Sequence, residues 1–277
     1  MFQKLSCWVV FPPFIALVVV VSCTTVPDNG RKQLNAFQSA DKQAELEQMG
    51  LDEFEKIKSE KPVSQDPTMT AAVQRVGNHL APVVPLQNAH WEFVVFEDPT
   101  PNAFALPGGK VGVHTGLFQV AQNDAGLAAV IGHELAHVVA NHAGERITGQ
   151  VATAAGVAVL TEVIGSNTGM STGGKIGTGL GLGGAGVLLS RKNSRSQELE
   201  ADQIGAIYMA RAGYDPREAV ELWKRFANFK EDKGSKRSRA FLSTHPLDET
   251  RIKSLQSFLP RALAQYQPMP PEGGIPQ

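Results

Sequence analysis

Apolar side chains recur every three to four residues along much of the chain, and this period predicts a mainly helical protein. Asp66-Pro67 supports one helix start, because it places a capping carboxylate before a proline at the first helical position. Gly213 would end a later helix, since glycine often follows the last helical turn. The expected helices cover 39–60, 67–80, 123–138 and 194–212, with two more opening at Asp215-Pro216 and Asp248.

Three short segments are rich in aromatic and β-branched residues, which predicts strands. They lie at 91–97, 102–106 and 110–114. Pro107-Gly108-Gly109 is a turn signal that would join the last two strands. The expected fold class is therefore α+β, a mainly helical domain with a small β-sheet.

The N-terminus has the pattern of an export signal. Lys4 precedes an apolar run at 8–21, which is shorter than the roughly 20 apolar residues of a membrane span and contains a proline pair. Val-Val-Ser-Cys, ending at Cys23, resembles the bacterial lipobox, whose cysteine is acylated after cleavage, although leucine is usual at the third position before the cysteine. The alternative is a plain secretory signal with an incidental cysteine.

The lipobox interpretation predicts a signal peptide at 1–22 and lipidation of Cys23. Because Thr24 rather than Asp follows the cysteine, it also predicts a periplasmic protein attached to the outer membrane. Residues 23–38 would be a polar tether, 39–264 the folded domain and 265–277 a disordered Pro- and Gly-rich tail. The glycine-rich stretch 165–186 is expected to be a linker, with a mobile flap beside the site as the alternative.

Composition sets bounds but names no substrate. With 277 residues, of which 42% are hydrophobic and 19% charged, the chain is long enough for one domain with a sizeable core. The formal net charge of −1 and the lack of a basic stripe argue against a nucleic-acid partner. If Cys7 leaves with the signal and Cys23 is acylated, no disulfide pair remains.

His133-Glu134-Leu135-Ala136-His137 matches the H-E-x-x-H pattern on a predicted helix. Residues four apart share a helix face, so both imidazoles can reach one metal ion. Glu134 points about 100° away, where it can act as the catalytic base that takes a proton from water. The apolar sequence around the motif argues against a solvated, incidental pair of histidines, because buried polar groups need partners.

A catalytic zinc site needs a third protein ligand and an open fourth position. Glu198 and Asp202 lie four residues apart on a later predicted helix. Glu198 is the expected ligand, and Asp202 is expected to hydrogen-bond a ligand imidazole or a proton in flight. Glu200, on another face of that helix, is the alternative ligand.

These motifs resemble the zinc metallopeptidase family of the CAAX prenyl protease and HtpX, and most closely its periplasmic lipoprotein branch, which includes the β-barrel assembly-enhancing protease. The segment Asp124-Ala125-Gly126 at the start of the active helix departs from the family, whose members usually carry Glu before the Leu-Ala pair. The resemblance rests on His133–His137, Glu198-x-x-Ala201-Asp202-x-x-Gly205, 101–109, Thr115-Gly116-Leu117 and Ser243-Thr244-His245-Pro246, in the family's order.

The resemblance implies a gluzincin-type zincin domain with one Zn²⁺ per chain, held by His133, His137 and Glu198. It implies Asp202 as a proton donor and places His245 near the zinc. Three roles stay open for His245: a donor to the tetrahedral intermediate, a fourth ligand that keeps the enzyme latent, or a structural histidine.

The expected function is endoproteolysis of misfolded or stalled cell-envelope proteins. Asn102, Ala103, Phe104 and Ala105 are expected to form an edge strand that pairs with the substrate backbone. One rival is an envelope chaperone or outer-membrane assembly factor with structural zinc, which a permanent His245 ligand would favour. Another is a cell-wall amidase, which the strand disfavours.

Overall fold

The computed structural model describes residues 22–35, 40–148, 193–233, 245–246 and 249–268. Helices predominate, with a three-stranded sheet and a separate two-stranded sheet. The predicted α+β class is therefore confirmed. The predicted signal peptide up to residue 21, the glycine-rich stretch 165–186 and residues 269–277 of the tail lie outside the described residues.

The helices and strands follow the predicted order. Residues 142–148 are also helical. The named helices are α1 (Ala40–Glu60), α2 (Pro67–Leu80), α3 (Phe118–Ala121), α4 (Asp124–Val139), α5 (Arg195–Arg211), α6 (Arg217–Lys233) and α7 (Glu249–Leu263). The strands are β1 (Ser22–Thr25), β2 (Lys32–Asn35), β3 (Glu92–Phe96), β4 (Ala103–Leu106) and β5 (Lys110–His114).

Capping side chains define where the two central helices begin. Asn123 accepts a hydrogen bond from the Gly126 amide at the start of α4. Ser194 and Gln197 form a reciprocal capping box at the start of α5. Gly213 follows α5 with a φ of 85°, a conformation that suits glycine and ends the helix.

The three-stranded sheet has the order β3-β5-β4, with β3 parallel and β4 antiparallel to β5. Among the described residues, β4 has a neighbouring strand on one side only. Its side chains alternate between two cores. Phe104 and Leu106 pack in a cluster with Phe54 of α1, whereas Ala103 and Ala105 join the main core that contains α4. The sheet therefore lies between α1 and α4, with an open edge.

Residues 22–35 differ from the predicted tether, because they form an antiparallel hairpin that packs on the domain. We call them the N-terminal hairpin. Ser22 to Thr25 pair with Asn35 to Lys32. Val26 is 1% exposed and belongs to the main core. The turn-rich sequence that suggested a tether is the turn between β1 and β2.

Arg211 of α5 ties this hairpin to the end of the domain. Its Nη2 donates to Asp28 at 2.7 Å, and its Nε donates to Gln265 at 2.7 Å. Gln265, the first residue of the predicted tail, is therefore hydrogen-bonded to the domain. Within the described parts of the chain, no helix combines the length and apolar character needed to cross a bilayer.

Candidate active site

Helix α4 holds the H-E-x-x-H motif in the centre of the domain. Its sequence is apolar on every side, so the whole stretch from Gly126 to Ala136 is buried. His133 is 1% exposed and Glu134 5% exposed. Burial of these polar side chains is costly unless they are paired, so their partners decide what the helix does.

Four side chains from three parts of the chain converge on one point. His133, His137, Glu198 and His245 each direct one nitrogen or oxygen atom there, and these atoms lie within 4.8 Å of one another. His133 Nε2 is 3.1 Å from His137 Nε2 and 3.3 Å from His245 Nδ1. The Glu198 carboxylate lies 3.5 Å from His133 Nε2, 3.4 Å from His137 Nε2 and 3.1 Å from His245 Nδ1.

These separations fit a metal ion. A tetrahedral zinc site with metal–nitrogen distances of about 2.0–2.1 Å has ligand atoms about 3.3–3.4 Å apart. Three imidazoles and one carboxylate are also a donor set that zinc favours. The sequence-predicted ligands His133, His137 and Glu198 thus come together, and His245 adds a fourth donor atom. Glu200, the alternative ligand, does not join this set.

Burial would lower the pKa of His133, but the nearby Asp202 and Glu198 carboxylates outweigh it and raise that pKa to about 9, so a metal ion that binds there displaces a proton. The protonation states of two other donors already suit a cation. Burial holds the pKa of His137 well below its usual range, so this imidazole is neutral and has a lone pair to donate. Burial alone would raise the pKa of Glu198, but hydrogen bonds with His133, His137 and His245 outweigh it and lower that pKa. The buried carboxylate is therefore ionised.

Asp202 orients one of the imidazoles. Its Oδ1 lies 3.0 Å from His133 Nδ1, on the opposite side of the ring from the converging atoms. A carboxylate in this position fixes the tautomer and orientation of a ligand histidine. The distance suits the first of the two roles that the sequence predicted for Asp202, a contact with a ligand imidazole, although His133 Nδ1 makes no hydrogen bond of regular geometry among the described residues.

Arg251 is a site residue that the sequence reasoning missed. It is fully buried, and its guanidinium contacts both carboxylates: Nη1 is 2.8 Å from Glu198 Oε2, and Nη2 is 2.7 Å from Asp202 Oδ1. Nη1 also donates to the Pro246 carbonyl at 3.2 Å. Arg251 therefore joins the His245 segment to the carboxylates of α5. The sequence feature that could have identified Arg251 is its position six residues after His245.

Glu134 faces a cleft beside the four donors. The cleft is lined by Glu134, His137 and His245 together with Asn102, Ala103, Phe104 and Ala105, the four residues predicted to bind substrate. Glu134 Oε1 lies 3.5 Å from His245 Nε2. Burial raises the pKa of Glu134 above its usual range, which brings a carboxylate closer to the value suited to proton transfer.

Strand β4 presents backbone groups along this cleft that make no hydrogen bond within the described parts of the chain. The His114 amide donates to the Asn102 carbonyl, and Phe104 stands opposite Gly112 in the same register. Hydrogen-bonded pairs alternate in an antiparallel ladder, so the N–H and C=O groups of Ala103 and Ala105 point away from β5. An extended peptide can pair with them by strand addition.

Two glycines allow the site helices to approach closely. A Cβ atom on Gly205 of α5 would lie 2.8 Å from the His133 amide nitrogen, and one on Gly132 would lie 3.1 Å from the Gly205 carbonyl oxygen. Backbone therefore meets backbone where α4 and α5 cross. This contact sets how far Glu198 and Asp202 lie from the α4 imidazoles.

The fold and the buried His/Glu constellation define a metallopeptidase-like domain, and comparison with known proteins agrees. Residues 67–259 match Peptidase family M48. This chain belongs to that family.

Similar proteins come from mitochondria and bacteria. The chain is 36% identical to the mitochondrial metalloendopeptidase OMA1 of Saccharomyces cerevisiae over 66% of this chain and 51% of the relative. It is 38% identical to OMA1 of Schizosaccharomyces pombe, over 72% of this chain and 55% of the relative. It is 27% identical to the β-barrel assembly-enhancing protease of Escherichia coli K12, over 83% and 46%. The chain therefore spans about half the length of these curated relatives.

Proposed function

We propose that this chain is a zinc-dependent endopeptidase that hydrolyses misfolded or stalled proteins of the bacterial cell envelope. One observation carries the proposal: the donors of His133, His137 and Glu198 converge beside a cleft that His137 lines together with Glu134 and the open edge of β4. The relatives named metalloendopeptidase or β-barrel assembly-enhancing protease support the activity and the substrate class.

In the proposed reaction, β4 binds the substrate in extended form through the outward groups of Ala103 and Ala105. A zinc ion held by His133, His137 and Glu198 would act as a Lewis acid on the scissile carbonyl and on the attacking water. Glu134 takes the proton of that water and passes it to the leaving amine. Asp202 keeps the His133 ring oriented throughout.

The proposal is tested with the purified mature chain and an unfolded substrate such as casein. We expect about one zinc per chain, cleavage of casein, loss of cleavage with a chelator and recovery when zinc is restored. Absence of zinc from both the wild type and the Glu134→Gln variant would rule the proposal out.

A second candidate function is supported by one specific contact. His245 Nδ1 lies 3.1 Å from Glu198 Oε1 within the donor set, and four protein donors are typical of a structural zinc site. An envelope chaperone or outer-membrane assembly factor with little proteolysis would have such a closed site. Bound zinc without casein cleavage, in both the wild type and the His245→Ala variant, would favour this second function.

We also propose that the protein is exported and anchored to the outer membrane through a lipid on Cys23, facing the periplasm. The export signal and the lipobox-like sequence support this location, as do the relatives named for β-barrel assembly. Cys23 lies in β1, opposite Leu34 of β2. A lipid there would join the membrane directly to the N-terminal hairpin.

A further inference from the structure

Among the described residues, the second imidazole of the motif has no carboxylate at its Nδ1, the nitrogen that faces away from the donor set. His133 directs Nδ1 to Asp202, but His137 directs Nδ1 to another imidazole, His142, at 2.6 Å. His137 uses Nε2 in the donor set, so its ring proton is on Nδ1. His137 therefore donates to His142 Nδ1.

This donation determines the tautomer of His142. A neutral imidazole has one donor and one acceptor nitrogen, so His142 Nε2 carries the proton when Nδ1 accepts. That nitrogen lies 2.7 Å from Glu200 Oε2. His142 is fully buried, so bulk solvent reaches neither nitrogen. The direction of both hydrogen bonds is therefore set by His137.

The series of hydrogen bonds from His137 through His142 to Glu200 ends on the N-terminal hairpin. Arg31 binds Glu200 through Nε at 2.8 Å and through Nη2 at 2.8 Å, and it also donates from Nη1 to Glu145 at 2.8 Å. Asn29 donates to the same Glu200 carboxylate. Arg31 and Asn29 of the hairpin therefore fix the position of the Glu200 carboxylate, which contacts His142 Nε2.

We propose that His142, Glu200 and Arg31 are positioning residues that hold the His137 imidazole toward the metal, so that the N-terminal hairpin is a functional part of the metal site. The inference rests on the proposed zinc-binding function. Groups behind a ligand histidine typically contribute 10- to 100-fold in metal affinity. The hairpin lies outside the two metal-binding helices, and among the described residues these hydrogen bonds connect it to His137.

The test compares zinc affinities of full-length mature variants by competition with a chelator. His142→Phe fills the same space without a hydrogen bond, and we expect its affinity to fall about 10- to 100-fold. Arg31→Met keeps an aliphatic stem on a half-exposed residue and should lower affinity by a smaller factor. The matched control is Arg211→Met, which removes the Asp28 contact of the same hairpin but leaves Glu200 untouched. The visible spectrum of the Co²⁺-loaded protein should change in His142→Phe and Arg31→Met and stay unchanged in the control.

Three results would overturn the inference. In the first, His142→Phe binds zinc within about twofold of the wild type. In the second, Arg211→Met weakens zinc binding as much as Arg31→Met does, which would mean that only the docking of the hairpin matters. The third applies if His142→Phe fails to fold: an Arg31→Met variant with wild-type zinc affinity and a wild-type Co²⁺ spectrum would then contradict the inference. A wild type that binds no zinc contradicts the proposed function itself, whereas a zinc-binding, proteolytic wild type with unaffected variants contradicts the positioning chain only.

Discussion

Gly132 and Gly205 face each other where α4 crosses α5, with no side chain between the two backbones. Gly132 directly precedes His133, a proposed zinc ligand. Gly205 lies one helical turn after Asp202, the carboxylate that contacts His133. The distance between the two helices, and with it the size of the donor set, depends on this contact.

Gly205→Ala should therefore weaken zinc binding about tenfold or more, on the scale of other changes behind a metal ligand. A methyl group 2.8 Å from the His133 amide nitrogen forces the helices apart. Alanine is the better helix former by about 1 kcal/mol, so an effect on helix propensity alone would act in the opposite direction. Chelator competition measures the change. Gln203→Ala, on the same helix but bonded to Ser254, is the control and should bind zinc normally.

Glu134→Gln should keep zinc and lose turnover by about 10²- to 10⁴-fold, the usual contribution of a general base. The amide fills the same space at the edge of the cleft but cannot take a proton. Metal analysis and casein cleavage on the same preparation measure both properties. Cleavage at the wild-type rate would mean that another group is the base.

His245→Ala should raise basal cleavage of an unfolded substrate while zinc stays bound. His245 Nδ1 lies within the donor set, 3.3 Å from His133 Nε2, where as a fourth ligand it would close the remaining position to water and substrate. Cleavage rate and zinc content are measured together. Loss of turnover with zinc retained would instead identify His245 as a donor to the reacting groups, and no change in either would identify it as structural.

Ala105→Pro should lower kcat/KM for an unfolded substrate about tenfold, because one backbone hydrogen bond of about 1.4 kcal/mol is lost. The Ala105 amide points away from β5, so proline there leaves the sheet ladder intact. Ala105→Ser keeps the amide and serves as the control. Equal rates for the two variants and the wild type would contradict substrate pairing along β4.

Cys23→Ala should move the protein from the membrane fraction to the soluble periplasmic fraction. The expectation follows from the lipobox-like sequence and requires only fractionation of cells that express each form. A variant that stays with the membrane would point to an uncleaved apolar segment at 8–21 as the anchor.

The parts of the site that the sequence could predict are those fixed by local helix geometry. His133 and His137 share a face because they are four residues apart on one continuous helix, and the same holds for Glu198 and Asp202. The sequence-adjacent strands of the β4–β5 hairpin were predictable for a similar reason, since a Pro-Gly-Gly turn joins them.

The contacts that could not be predicted depend on changes of chain direction and on packing between distant segments. On a continued α4 helix, His142 would lie off the face that carries His133 and His137. Asn141 instead has a φ of 49°, which ends α4 and returns the chain toward His137. Asparagine favours that conformation, so it was the available local signal. Arg31 reaches Glu200 across 169 positions, which no local pattern encodes.

The order of the donor residues along the chain also governs when a complete site can exist during synthesis. Glu198 lies 47 residues before His245, and His245 lies 112 residues after His133. At about 5–20 residues per second, the last donor is made roughly 6–22 s after the first. A nascent chain that holds only the H-E-x-x-H helix has two imidazoles and no ligand carboxylate. A nascent chain therefore lacks the complete set of proposed zinc ligands until Glu198 has been made, and it lacks His245 for a further 47 residues.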